Sequence, residues 1–159
     1  MASIEKQVLG GISAYTSCGF TASDFNSKAT GTVIVATSTV TNATNLDLQA
    51  RISGTVTVGG TISVSSTWFV LLLEQNRDGT TYGGGLATGG TNPPAHLNAT
   101  QFFFLNGTTS GNAVTFESPW FDLPHGVFKF GILQAMGISL HATAAVTCEY
   151  ITRNRNLNG

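Results

Sequence analysis

Leu46-Asp47-Leu48-Gln49-Ala50-Arg51-Ile52-Ser53-Gly54-Thr55-Val56-Thr57-Val58 alternates without a break: every even position is apolar or glycine, and every odd position before the last is polar. Successive side chains of a strand point to opposite faces, so this stretch is a half-buried β-strand, one face on a core and the other toward water or a partner. Thirteen residues at ~3.3 Å each reach about 43 Å, beyond usual strand lengths. A bend near Gly54 is therefore predicted.

The same period returns near the C-terminus. Ile138, Leu140, Ala142, Ala144, Val146, Cys148 and Tyr150 alternate with Ser139, His141, Thr143, Thr147 and Glu149, with Ala145 as the one apolar intruder. Upstream, Phe128, Phe130 and Ile132 share a face. If the two runs pair as a hairpin, their apolar positions must fall on one face. Pairing Ile132 with Leu140 and Phe130 with Ala142 achieves that and leaves a three-residue loop, Ala135-Met136-Gly137, with glycine where a left-handed residue is wanted. By the same logic, Gly59-Gly60 predicts a three-residue or bulged loop pairing Val58 with Ile62 and Val56 with Val64.

Further strands are expected at Thr32 to Thr41, Trp68 to Gln75, Gln101 to Leu105 and Ala113 to Glu117. Trp68-Phe69-Val70-Leu71-Leu72-Leu73 is apolar on both faces and predicts a central strand covered on both sides, a neighbouring subunit being one candidate cover. Asn76-Arg77-Asp78-Gly79 reads as a hairpin turn. No segment carries a long helical period. The prediction is one all-β domain, an antiparallel β-sandwich of about eight strands, jelly-roll-like order being preferred to an immunoglobulin-like one, over residues 13–152. Residues 1–12 are expected as an N-terminal arm or short helix and residues 153–159 as a C-terminal tail.

Composition narrows the function. Charged residues are 9% of the chain, against roughly a quarter in ordinary domains, so the surface is polar yet weakly charged. A net charge of −1 argues against nucleic-acid binding, which calls for a basic patch. Met1 to Gln7 is polar, and no apolar stretch of signal-peptide or membrane-spanning length follows; the expectation is a protein made and used without crossing a membrane by the standard route. That devalues the glycosylation-like triplets at Asn42, Asn98 and Asn106. Cys18 and Cys148 lack metal-binding spacing. A bridge between them stays open but is disfavoured by the expected reducing compartment, and Cys148 reads as a buried, inert thiol.

Catalytic constellations are not found. A triad needs a base beside a nucleophile and an orienting acid, and His96, His125 and His141 have no neighbours that suggest activation. Ligand spacing for zinc is missing, Asn76 and Asp78 lack the further ligands of a calcium loop, and Gly83-Gly84-Gly85 lacks the rest of a phosphate loop. Glu74, Asp78, Glu117, Asp122 and Glu149 could in principle supply a glycosidase pair, but nothing selects two of them. The expectation is a non-enzyme without cofactor or metal.

Binding residues are easier to nominate. Tyr82 to Thr100 is a long Gly- and Pro-rich connection, of a kind that is usually functional, tied down by a partner or disordered. Ser118-Pro119-Trp120-Phe121-Asp122-Leu123-Pro124 is stiff and proline-bounded. Tyr82, Phe102, Phe104, Trp120 and Phe121 would suit stacking on sugar rings; the plainer reading is core filling for the phenylalanines and a corner plug for Trp120. The expected contact residues are Ile4 and Val8 in the arm, Tyr82, Leu86 and His96 in the loop, and Trp120 and Phe121.

Two stretches carry a resemblance. Trp68-Phe-Val-Leu-Leu-Leu-Glu-Gln-Asn-Arg-Asp-Gly-Thr-Thr-Tyr-Gly83, and Val127-Phe-Lys-Phe-Gly-Ile-Leu-Gln134 with Ala145-Val-Thr-Cys-Glu-Tyr-Ile-Thr152, resemble small virion structural proteins of tailed bacteriophages, in particular jelly-roll capsid decoration (cement) proteins and related head-fibre proteins. The resemblance implies a protein on the capsid surface, assembled in the host cytoplasm, often a homotrimer, that bridges shell subunits. Its implied partners are the major capsid protein or other virion proteins, not nucleic acid or membrane. It brings no catalytic residues. The alternative is a receptor- or carbohydrate-binding module of a phage fibre or spike.

Overall fold

The computed structural model describes residues 8–43, 47–63, 66–83, 85, 86, 88, 99–103 and 111–156. Along the chain run β1 (Val8–Ile12), β2 (Thr16–Ser17), α1 (Ala22–Phe25), β3 (Val33–Val35), β4 (Val40–Thr41), β5 (Gln49–Thr57), β6 (Thr67–Glu74), β7 (Ala99–Phe103), β8 (Ala113–Glu117), β9 (Phe121–Asp122), β10 (Val127–Ala135) and β11 (Val146–Asn156). Three pairs of segments are single strands with an interruption. β1 and β2 both pair with β11, β3 and β4 with β10, and β8 and β9 with β5. Among the described residues the eleven segments thus make eight strand positions.

These positions form two antiparallel sheets. The first, sheet A, has the order β1-β11-β5-β8, and the second, sheet B, β3-β10-β6-β7. The partners β1 with β11, β3 with β10, β5 with β8 and β6 with β7 match the first strand position to the last, the second to the seventh, the third to the sixth and the fourth to the fifth. The chain is one long antiparallel ribbon rolled up on itself, which is the jelly roll. The all-β sandwich expected from the alternation is present.

The predicted hairpin of Ile132 with Leu140 and Phe130 with Ala142 is not formed. β10 pairs with β6, placing Phe130 opposite Leu72 and Ile132 opposite Val70, while β11 pairs with β5 in the other sheet, with Tyr150 opposite Ile52. Both apolar faces do meet one core, but from opposite sheets. The Gly59-Gly60 hairpin fails for the same reason: β5 and β6 lie in different sheets. Gly59 instead donates to the Ser139 carbonyl, and Val58 bridges Leu140.

Gly137 does hold the left-handed conformation, φ +79°, but it turns the chain across the sandwich. The fully buried Gln134 fixes that corner: its amide donates to the Lys28 and Ile138 carbonyls and accepts from the Met136 N–H. A buried amide is tolerated because its donors and acceptor are used. Residues 138–145 are therefore a crossing, and the strand begins at Val146.

The ends also differ from expectation. Val8–Ile12 is a strand, neither helix nor free arm, and pairs with the last strand. β11 runs on to Asn156, so much of the expected tail belongs to the sheet.

Trp68, Phe25, Phe116, Phe128 and Phe130 are fully buried between the sheets. Trp68 packs against Phe25 and Phe116, with ring centroids 5.7 and 5.0 Å away. α1 delivers Phe25; its start is capped by Asp24, which accepts from the Thr21 N–H at 2.7 Å. β6 is covered on both faces, as its sequence demands. Leu71 and Leu73 lie on the outward side with Val33, packed by Tyr82, Leu86, Phe69 and Leu133. This chain's own Tyr82 and Leu86 supply cover that a neighbouring subunit was a candidate to provide.

Candidate functional site

The outward face of sheet A is built from the odd residues of β5 and β11. Thr55 and Thr147 share a hydroxyl hydrogen bond of 2.9 Å. Gly54, on the core side of β5, lets β11 come so close that a Cβ would stand 1.9 Å from the Thr147 carbonyl oxygen. At the end of this face the proline-bounded segment folds over the sheet. Ser118 takes the place of a strand residue: its N–H donates to the Ile52 carbonyl at 2.8 Å, and its hydroxyl accepts the Ile52 N–H at 3.0 Å. Beyond Pro119 the chain resumes pairing at Phe121, opposite Ala50.

That geometry separates two neighbouring residues. Phe121 enters the core, edge-on to Phe130 at 6.5 Å. Trp120 is not the predicted corner plug. It lies half-buried over two guanidinium groups on the outward face, with Arg153 Cζ 4.4 Å and Arg51 Cζ 5.4 Å from its ring centroid. Arg51 pairs with Glu117 at 2.5 Å. Gln49 accepts from Arg153 and donates to Asp122 at 2.8 Å. Two positive and two negative side chains thus cancel around one indole. The result is a locally balanced cluster of planar hydrogen-bonding groups, in which the Arg51 Nε is buried without a partner.

The outward face of sheet B carries a shallow depression of about 230 Å³, lined by Val35, Thr80, Thr81, Tyr82, Leu86 and Lys129. A tight turn builds its rim. Asp78 accepts from the Thr80 and Thr81 N–H groups, each at 2.9 Å, and from the Thr81 hydroxyl at 2.6 Å. These bonds, the Thr81 hydroxyl first, hold the Asp78 carboxyl down at about 2. Gly83 follows in a left-handed conformation, φ +54°, where a Cβ would meet Leu73 at 2.8 Å. Only glycine lets the chain fall onto β6 there. Lys129 Nζ stands 5.0 Å from the Tyr82 ring centroid, and the Tyr82 hydroxyl bonds the Gln75 side chain at 3.3 Å.

Of the predicted contact residues, the structure brings Tyr82 and Leu86 together in this depression and sets Trp120 apart on the other sheet. Val8 lies in β1, opposite Asn156. Phe102 lies in β7, opposite Trp68. Ile4, His96 and Phe104 lie outside the described residues, as do Asn98 and Asn106. Asn42 is buried, with its amide bonded to Asp47 and Pro124, so it presents no acceptor for a glycan. Arg51, Arg153, Gln49 and Lys129 were not singled out as contact residues. The first three follow from extending the odd-position rule of β5 and of Glu149 by two more steps; Lys129 had no such signal.

Among the described residues, no group of three His, Cys, Asp or Glu side chains is placed to hold a metal. His141 Nδ1 is engaged by Thr143, 3.1 Å from its hydroxyl. No helix there is long and apolar enough to cross a membrane. Comparison with protein-family models, curated proteins and solved structures finds no match.

Proposed function

We propose that this chain is a structural protein of a tailed-phage virion, a decoration or cement protein that sits on the capsid surface and bridges shell subunits as an oligomer, in the first instance a homotrimer. The observation that carries the reading is where the resemblance falls. Residues 68–83 are β6 with its hairpin turn, and residues 127–134 and 145–152 are most of β10 and the first part of β11. These are inner strands of both sheets, in a jelly roll of the kind the resemblance implies. Fold alone does not fix function, but the surface chemistry is compatible. A charge-poor surface whose ions cancel locally around Trp120 packs against repeated neighbours with little dependence on salt. Its partners in this reading are the major capsid protein or other virion proteins. Mass spectrometry of purified particles tests it: the chain is expected at a stoichiometric ratio to shell subunits, and its absence from particles would remove the proposal.

A second reading, a receptor- or carbohydrate-binding module, is favoured by one observation. Trp120 is a half-buried indole held by Arg51 and Arg153, whose partners Glu117 and Gln49 are side chains suited to hydroxyl groups. Binding to a glycan array by the isolated protein, lost in Trp120→Ala, would support this reading over the first.

A further inference from the structure

Cys18 and Cys148 face each other where the first strand position meets the last. β2 and β11 are in register at Thr16 with Tyr150 and Ser17 with Glu149. One step further, Cys18 stands opposite Cys148, and the Cys18 N–H donates to the Cys148 carbonyl at 2.9 Å. Both side chains lie in the same core, 1% and 7% exposed. Directly opposed residues of antiparallel strands have Cα atoms about 4.5–5.5 Å apart, inside the ~4.4–6.8 Å that a disulfide spans. The register therefore sets two free, buried cysteines on opposed backbone positions, at the Cα spacing a disulfide requires.

We propose that Cys18 and Cys148 are an oxidative modification site, forming an intramolecular disulfide when the protein meets a low-molecular-weight disulfide. The step is thiol–disulfide exchange. One cysteine thiolate attacks a sulfur of oxidised glutathione and releases one glutathione. The second cysteine then displaces the other glutathione from the mixed disulfide. The oxidant's S–S bond breaks, the Cys18–Cys148 bond forms, and the two cysteine protons end on the two glutathione thiols.

Burial governs the rate, because it raises the Cys18 pKa and keeps the nucleophilic thiolate scarce. Exchange therefore proceeds through local opening of β2, two exposed residues at a sheet edge. The bond closes a loop spanning most of the domain and fastens its N-terminal segment to its last strand, so its effect on the unfolded chain is large. The inference is independent of the virion proposal and stands or falls separately.

The test is to refold the reduced protein in a buffer containing oxidised glutathione and to map its peptides without reduction. The expected product carries a Cys18–Cys148 link within one chain, with a Tm about 10 °C above that of the reduced form. Cys18→Ala and Cys148→Ala are expected to show no oxidant-dependent rise; should they not fold, the peptide map of the natural chain decides. Thiols that stay free, a stable glutathione adduct, or cross-linked dimers in place of the internal bond would overturn the inference.

Discussion

Replacing Trp120 by alanine separates a residue clamped on a sheet face from one plugging the core. Trp120 is half-buried, and its named contacts are two guanidinium groups, at 4.4 and 5.4 Å from the ring centroid. Each such contact contributes roughly 0.5–1 kcal/mol near a surface, so the loss is about 1–2 kcal/mol. At roughly 2–4 °C per kcal/mol for a domain of this size, Tm falls by about 5 °C. Trp68, fully buried among Phe25 and Phe116, is the internal control: Trp68→Ala is expected to cost about 3–5 kcal/mol. Urea titrations followed by far-UV circular dichroism measure both. These two are the chain's only tryptophans, so in Trp120→Ala the remaining emission is that of a buried indole that resists quenching. A Trp120→Ala loss equal to that of Trp68→Ala would refute the placement on the outward face. No loss at all would refute the clamp.

Gly54→Ala drives a Cβ to within 1.9 Å of the Thr147 carbonyl oxygen. Overpacking costs about 1–3 kcal/mol, and a backbone obstacle on a central strand pair puts this case at the upper end; a denaturation midpoint unchanged from the natural chain would contradict the β5–β11 register. Alkali is expected to destabilise the fold. Burial, then Cys148, raises the Cys18 thiol above its ordinary 9.0, and burial raises Tyr150 above its ordinary 10.0. Above pH 9 the unfolded chain has released a proton that the folded chain keeps, so stability falls as pH rises; a Tm that climbs there would reverse the argument. Asp78 acts with the opposite sense. Its carboxyl is held at about 2 against an ordinary 3.8, so its contribution is present above that ordinary value and lost as pH falls through about 2. Carboxyl chemical shifts across an acid titration read this directly, and Asp78→Asn should abolish the step.

The fold class was legible in the sequence because one observation, the period of two from Leu46 to Val58, is enforced by covalent geometry. The strand pairing was not. Alternation says which side of a strand faces the core, but it cannot distinguish two strands side by side in one sheet from two facing each other across a sandwich. Phe130 and Ala142 satisfied the first arrangement on paper. The chain adopts the second, because the ribbon pairs strands distant in sequence and sends neighbours such as β10 and β11 to opposite sheets. The same limit applied to Gly59-Gly60. Turns with their own chemistry were more legible: the Asp78 turn stands where the sequence placed it, and Gly137 is left-handed as expected, though in a crossing between the sheets and not in the predicted hairpin.

Surface sites were legible only in part. Tyr82 and Leu86 were nominated from a loop and do line a depression, but their partner Lys129 comes from a strand distant in sequence. Trp120 was nominated for its ring, while the guanidiniums that hold it come from β5 and from a segment that read as a tail. Arg153 belongs to β11 because β1 and β5 pair on either side of it, information that no local pattern contains.

The proposal that this chain works by coating a virion shell meets its most direct test in an image of the particle. Purified protein is added to shells that lack it, and the particles are reconstructed by electron cryomicroscopy. The account predicts density for a two-layered β-sandwich at regular lattice positions on the capsid exterior, in contact with neighbouring shell subunits. A shell surface left bare at saturating protein would contradict it.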